Sequence, residues 1–208
     1  MSGLSTSFNL VLASGSRVRR TLLTGAGLDP TVDPADLDEP AIEADCRLRG
    51  LDTPATALAL AEAKARLVVA RHPGAVVIAC DQMLDVGGES LRKPDDMAGA
   101  AATLRRLAGR DHRLICGTVI RRGDETLWRH TDEAVLTMRP LDAAAIEAYL
   151  ARAGEVVLTS VGAYQLEGLG AQLFERIEGD YFTILGLPLL PLLAALREQD
   201  LAVAGLLS

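Results

Sequence analysis

The stretch Leu12-Ala13-Ser14-Gly15-Ser16-Arg17-Val18-Arg19-Arg20 constrains this chain more than any other. An apolar run (Phe8, Leu10, Val11, Leu12) stops at small residues, Ser14, Gly15 and Ser16 make a tight polar turn, and Arg20, Leu22 and Leu23 begin a helical pattern. A strand that passes through a small-residue turn into a helix exposes free backbone N–H groups, and these favour anions together with the helix dipole. Arginines at that point add planar, permanently charged forks that match phosphate oxygens. The chain as a whole carries a net charge of −7. Its basic cluster is therefore a local feature and reads as a site for a polyanion.

At 208 residues the chain is one large domain or two small lobes, long enough to bury a sizeable core. Aromatic residues make up only 3%, which argues against a nucleic-acid surface built on stacking platforms. The acidic balance argues against broad electrostatic binding of DNA or RNA. Cys46, Cys80 and Cys116 are odd in number and widely spaced. They fit neither a zinc pattern nor a disulfide framework and read as reduced, buried thiols. The N-terminal sequence has no signal-peptide pattern. The most apolar segment, Ile184 to Leu196, is interrupted by Gly186, Pro188 and Pro191 and is too short to span a bilayer. A cytoplasmic protein without a membrane partner is expected.

The hydrophobic pattern alternates strands and helices. Strands are predicted at Phe8–Ala13, Ala75–Cys80 and Val156–Gly162, with a hairpin of His112–Arg121 and Leu127–Met138 around Gly123-Asp124. Helices are predicted at Arg19–Ala26, from Thr53 (as N-cap) to about His72, at Pro94–Ala108, at Asp142–Ala153 (Asp142 as cap) and at Leu189–Glu198. The acidic segment Asp33–Asp52, with Pro34 and Pro40, reads as loop with short structure. The hairpin adds antiparallel pairing to the alternation, so the class is α/β with a mixed sheet.

Several single residues carry chemistry. Asp81 follows a buried apolar run directly, a place for a ligand or metal carboxylate and equally for a turn cap. Pro94 holds Lys93 extended near a helix N-terminus, suited to a phosphate contact, although lone lysines are mostly solvated. Lys64, within Leu60-Ala61-Glu62-Ala63-Lys64-Ala65, reads as an exposed position with its stem lying along the helix. Glu39 lies in the acidic segment. Gly162 to Gly170 is a glycine-rich polar loop without a dinucleotide fingerprint, and no P-loop, His-Glu-x-x-His pattern or Gly-x-Ser-x-Gly elbow is present.

In order, Leu-Ala-Ser-x-Ser-x-x-Arg-Arg (12–20), Leu-Ala-x-x-Lys-Ala (60–65), Asp81-Gln82, Lys93-Pro94 and Leu-x-Gly-x-x-His (107–112) resemble the Maf family of house-cleaning nucleoside triphosphate pyrophosphatases. Gly162-Ala163-Tyr164 through Glu167-Gly168, Phe174 to Asp180, and Gly186-Leu187-Pro188-Leu189 extend the resemblance over nearly the whole chain. It implies an α/β fold with an elongated, bent mixed sheet flanked by helices, two lobes around a central cleft in one Maf-like domain, and a homodimer. It implies hydrolysis of a nucleoside triphosphate between the α and β phosphates, with magnesium or manganese. By the same resemblance Asp81 is the catalytic carboxylate, as proton acceptor or metal ligand. Ser14, Ser16, Arg19 and Arg20 belong to the phosphate-binding turn, and Lys64 and Lys93 offset triphosphate charge. Glu39 lies near the metal.

The sequence departs from the commonest family pattern at four places. Arg17 stands where proline is usual, Val18 where arginine is usual, Cys80-Asp81-Gln82 where Ala-Asp-Thr is usual, and Glu167 where glutamine is usual. Gln82 with Glu167 resembles the subgroup acting on 7-methyl-GTP, as opposed to dTTP and UTP. A carboxylate can accept from the N1–H and N2–H₂ edge of a guanine-type base, and N7-methylation adds positive charge that Glu167 would favour. That subgroup carries an aromatic residue where Val18 stands, so a stacking ring would have to come from Tyr164 or Tyr181. The alternatives are a pyrophosphatase preferring dTTP or UTP and a non-catalytic, nucleotide-binding regulator of cell division.

Overall fold

The computed structural model describes residues 8–201. Seven strands, β1 (Leu10–Leu12), β2 (Thr31–Val32), β3 (Val76–Val86), β4 (Glu89–Leu91), β5 (Asp111–Arg122), β6 (Glu125–Met138) and β7 (Phe174–Glu178), form one sheet. Its order is β2-β1-β3-β5-β6-β7, and β4 pairs with β3 away from that path. The helices are α1 (Arg17–Gly25), α2 (Glu39–Leu48), α3 (Thr53–Val69), α4 (Met97–Leu107), α5 (Ala143–Ala153), α6 (Tyr181–Ile184) and α7 (Leu189–Glu198). β1 pairs in parallel with both β2 and β3, whereas β4 joins β3 and β7 joins β6 in antiparallel fashion. The mixed α/β class follows.

The chain groups into two compact units. The first consists of Met1–Gln82, Cys116–Asp132 and Gly186–Ser208, and the second of Met83–Ile115 and Glu133–Leu185. Val11, Ala13, Val77, Ala79 and Val119 pack against Ala61, Ala65 and Val68 of α3 in the core of the first. Leu104, Leu107, Leu136, Met138, Ile146 and Leu150 are among the core residues of the second. Small side chains let α3 come close to the first unit's strands. At Gly117 on β5, an added Cβ would stand 2.4 Å from the backbone carbon of Ala57, so only glycine permits this approach.

Several local predictions are corrected. α3 is capped by Asp52, whose carboxylate accepts from the Ala55 N–H at 2.9 Å, and Thr53 is its first residue. α1 starts two residues early because Ser16 caps it, accepting from the Arg19 N–H at 3.3 Å. The acidic segment contains α2. Asp38 accepts from the Ala41 N–H at 3.0 Å, and Pro40 sits in the first turn, where its missing N–H leaves no bond unmade. α4 begins only at Met97, with Asp96 as cap, so Pro94 and Asp95 precede it. Val156–Gly162 is not a strand. Gly154, at φ +69°, ends α5, and a 3₁₀ turn over Gly154–Thr159 buries Val157 but leaves Val156 exposed. Val157, Leu158 and Val161 all reach the second unit's core, and contacts from the adjacent positions 157 and 158 do not follow the alternation of a strand. Among the described residues no helix is long and apolar enough to cross a membrane.

Candidate active site

Asp81 was predicted just beyond a strand but lies within β3, which runs unbroken from Val76 to Val86. The neighbouring strand is what ends. β1 pairs only as far as Leu12, opposite Ile78, and the chain then turns through Ser14 and Ser16 into α1. Asp81 therefore lies three residues past the end of this pairing. That is the position beside a strand end where a side chain can meet a ligand instead of a neighbouring strand.

Lys64 faces the same place. α3 buries Ala57, Leu60, Ala61, Lys64, Ala65 and Val68, and these positions form one helical stripe. Lys64 falls within this stripe, two turns beyond the Ala57–Gly117 contact, and is only 9% exposed. The expectation of an exposed lysine is overturned by register. Its Nζ donates to Asp81 Oδ1 at 2.5 Å and pairs with Glu39 Oε1 at 2.7 Å. Glu39 reaches it from the first turn of α2. Burial alone would lower the Lys64 pKa, but Asp81 and then Glu39 raise it above its ordinary value, so the ammonium stays charged. Asp81 is itself 8% exposed.

The predicted phosphate turn divides its labour. Ser14 Oγ accepts from the Ser16 N–H at 3.3 Å and from Arg19 Nη1 at 3.0 Å, and it retains a proton of its own to donate. Ser16 is occupied as the helix cap. Arg19 also donates from Nη1 to the Cys80 carbonyl at 2.8 Å and from Nε to the Gly186 carbonyl at 2.7 Å. It thus ties the turn after β1 to β3 and to the segment before α7. Desolvation opposes its charge, but Cys80, Cys116, Asp81 and Glu39 outweigh it and raise the pKa. Arg20 is exposed and Val18 half-buried on α1.

Sequence reasoning named Gln82 for the base but read Cys80 and Cys116 only as buried thiols and left out Thr118 and the contacts among them. Cys80 Sγ lies 3.1 Å from the Gly186 carbonyl and accepts from Thr118 Oγ1 at 3.2 Å. Gln82 Nε2 donates to Cys116 Sγ at 3.6 Å, which fixes the amide beside Asp81. Burial resists ionisation of Cys80, but its neighbour Cys116 and the Arg19 charge pull its thiol below the ordinary value. The available signal was alternation: Cys80 and Gln82 share one face of β3, and Asp81 takes the other.

The first unit thus brings together Ser14, Arg19, Glu39, Lys64, Asp81 and Gln82. Lys93 and Glu167 belong to the second. Lys93 is exposed in the loop before α4, and Glu167 is exposed in the 162–170 loop. Tyr164 cannot serve as a stacking ring, because it is 3% exposed in the second unit's core. Tyr181, at the start of α6, is open to solvent.

A protein of Mesorhizobium japonicum named 7-methyl-GTP pyrophosphatase is 54% identical over 188 residues, covering 90% of this chain and 94% of its own. One of Brucella abortus with the same name is 52% identical over 91% of this chain and 96% of its own. A protein of Nitrobacter hamburgensis named nucleoside triphosphate pyrophosphatase is 52% identical over 92% of this chain and 94% of its own. Residues 9–199 match the family described as Maf-like protein, and the chain belongs to that family.

Proposed function

We propose that this protein hydrolyses nucleoside triphosphates, with 7-methyl-GTP preferred, to the monophosphate and pyrophosphate. The observation that carries the reading is the buried Lys64 between Asp81 and Glu39, beside the Ser14 turn at the end of β1. One cation and two carboxylates there offer what attack of water on the α-phosphorus needs: a proton acceptor, and positive charge to meet the phosphates. The names of the related proteins support the same reaction.

In this reading water attacks the α-phosphorus, the bond to the α–β bridging oxygen breaks, and pyrophosphate leaves with the bonding pair. Asp81 takes the proton of the attacking water. Lys64 orients Asp81 through its short bond and offsets charge on the triphosphate. Ser14 and the first N–H groups of α1 receive phosphate oxygens, and Arg19 holds that turn in place. Arg20 and Lys93 add positive charge. Gln82 and Glu167 read the base, Glu167 accepting from the N1–H and N2–H₂ edge.

The donor chemistry fits a divalent cation. Asp81 and Glu39 present hard carboxylate oxygens to one ammonium, and Mg²⁺ or Mn²⁺ takes one or two carboxylates and completes its shell with water and substrate phosphate. Among the described residues no cluster of three or more His, Cys, Asp or Glu could hold a metal by itself. When bound, it neutralises phosphate charge and polarises the oxygens it touches. A homodimer and cytoplasmic residence complete the reading, and light scattering of the purified chain tests the former.

The test is pyrophosphate release with Mg²⁺ or Mn²⁺ from 7-methyl-GTP, GTP, UTP, dTTP and CTP. Release is expected to be fastest from 7-methyl-GTP and to stop on chelation, and Asp81→Asn should cut kcat roughly a thousandfold. Preference for UTP or dTTP would keep the chemistry and overturn the base assignment. No release from any of them would leave a nucleotide-binding regulator.

A further inference from the structure

The 162–170 loop is held by a polar contact that the reaction above does not use. His112, on β5, is 1% exposed. Its Nε2 lies 2.7 Å from the Tyr164 hydroxyl. Both rings pack on Phe174, the Tyr164 ring edge-on with centroids 4.8 Å apart. The backbone beneath is tightly wound. Ala163 has φ +57°, a region that L side chains rarely adopt. Gly162 lies so close under the Tyr164 ring that an added Cβ would stand 2.2 Å from Cε1. The Ala163 carbonyl accepts from the Tyr149 hydroxyl at 3.4 Å, and the Gly168 N–H closes onto the Gln165 carbonyl at 3.2 Å. Gly162, Ala163 and Tyr164 are buried, whereas Glu167 and Gly168 stand in solvent.

Two apolar side chains would anchor such a loop by burial alone, but without direction. A hydrogen bond has a preferred length and angle and fixes how the ring is turned, hence how the chain leaves it. The left-handed Ala163 persists only where its surroundings over-determine it. Here they are the Tyr164–His112 bond, the Phe174 contact and the Tyr149 bond, made at Ala163 and Tyr164, four and three residues before Glu167.

We propose that His112 and Tyr164 are positioning residues that set the stance of the 162–168 loop, and through it the base discrimination made by Glu167. The proposal rests on the assignment of Glu167 to the base edge.

The test measures kcat and KM for 7-methyl-GTP and for UTP on the intact protein. Tyr164→Phe keeps the ring over Gly162 and removes only the hydroxyl. It should lower the ratio of kcat/KM for 7-methyl-GTP over UTP about fivefold, chiefly through KM for 7-methyl-GTP. A purely structural role would lower both substrates together. Glu167→Gln should lower the same ratio, and Tyr164→Phe should then add nothing in the Glu167→Gln background. His112→Gln, which keeps a polar partner for the hydroxyl, should hold the ratio, and His112→Leu should lose it. This second pair decides the matter if Tyr164→Phe fails to fold. If Glu167→Gln shifts the ratio but Tyr164→Phe and His112→Leu do not, or if their effects simply add to it, the positioning role is overturned and the base assignment stands. If Glu167→Gln leaves the ratio unchanged, the base assignment falls and this inference with it.

Discussion

Each unit holds one buried polar cluster, and the two clusters are of opposite kind. The first unit's cluster is charged: Lys64, at 9% exposure, is flanked by Asp81 at 8% and by the more open Glu39. The second unit also buries a carboxylate, Asp85, paired with Arg113 at 3.5 Å, but the pair beneath its 162–170 loop is neutral: burial pushes the His112 pKa down to about 4, against the opposing charge of Asp111, and raises the Tyr164 phenol beyond its ordinary range. Taking an ion pair out of water is expensive, and a well-packed apolar pair often matches or exceeds its stability. A neutral hydrogen-bonded pair escapes most of that penalty. Of these two clusters, the charged one stands at the site proposed for the reaction, and the neutral one stands where a loop is shaped.

The largest expected effect lies in the charged cluster. Lys64→Met leaves Asp81 buried without its counter-ion, so unfolding in urea should show a loss of about 3–5 kcal/mol. Adding Asp81→Asn to Lys64→Met removes the stranded charge and should recover much of that loss while activity stays absent. A loss below about 1 kcal/mol for Lys64→Met would mean that the cluster behaves as a solvated surface pair. The contrast between the units would then fail.

The contrast was unevenly legible in the chain. The strand-to-helix turn at Ser14 and the hairpin around Gly123-Asp124 were readable, because each is set by local turn and capping chemistry. Lys64 was readable in principle. Its register with Ala57, Leu60, Ala61 and Val68 places it on the buried face, but a lysine in an alanine-rich helix also suits a solvated face, and only the partners Asp81 and Glu39 decide between them. Glu39 was hidden because Pro40 reads both as a loop breaker and as a first-turn helical residue. The extension of β3 through Asp81 was hidden because β4, its partner over Leu84–Val86, follows in sequence and pairs through only three residues. The His112–Tyr164 contact joins positions 52 residues apart, which no spacing rule connects.

The neutral pair gives a smaller, pH-dependent effect. His112 has a folded pKa of about 4 against an ordinary value of 6.5. Above pH 6.5 both folded and unfolded chains carry it neutral, and its titration takes nothing from stability. As pH falls from 6.5 towards 4 the unfolded chain takes up a proton that the folded one refuses, so stability declines. Below 4 both are protonated and the loss levels off at roughly 3 kcal/mol. Other groups titrate over the same range, so the informative quantity is the stability of wild type minus that of His112→Gln, from urea midpoints at pH 7, 6, 5 and 4. That difference should fall by roughly 3 kcal/mol across the series. Parallel curves would show that water or a proton reaches His112 in the folded state. The contrast with the charged cluster would then fail, because a ring that solvent can reach is not kept neutral by burial.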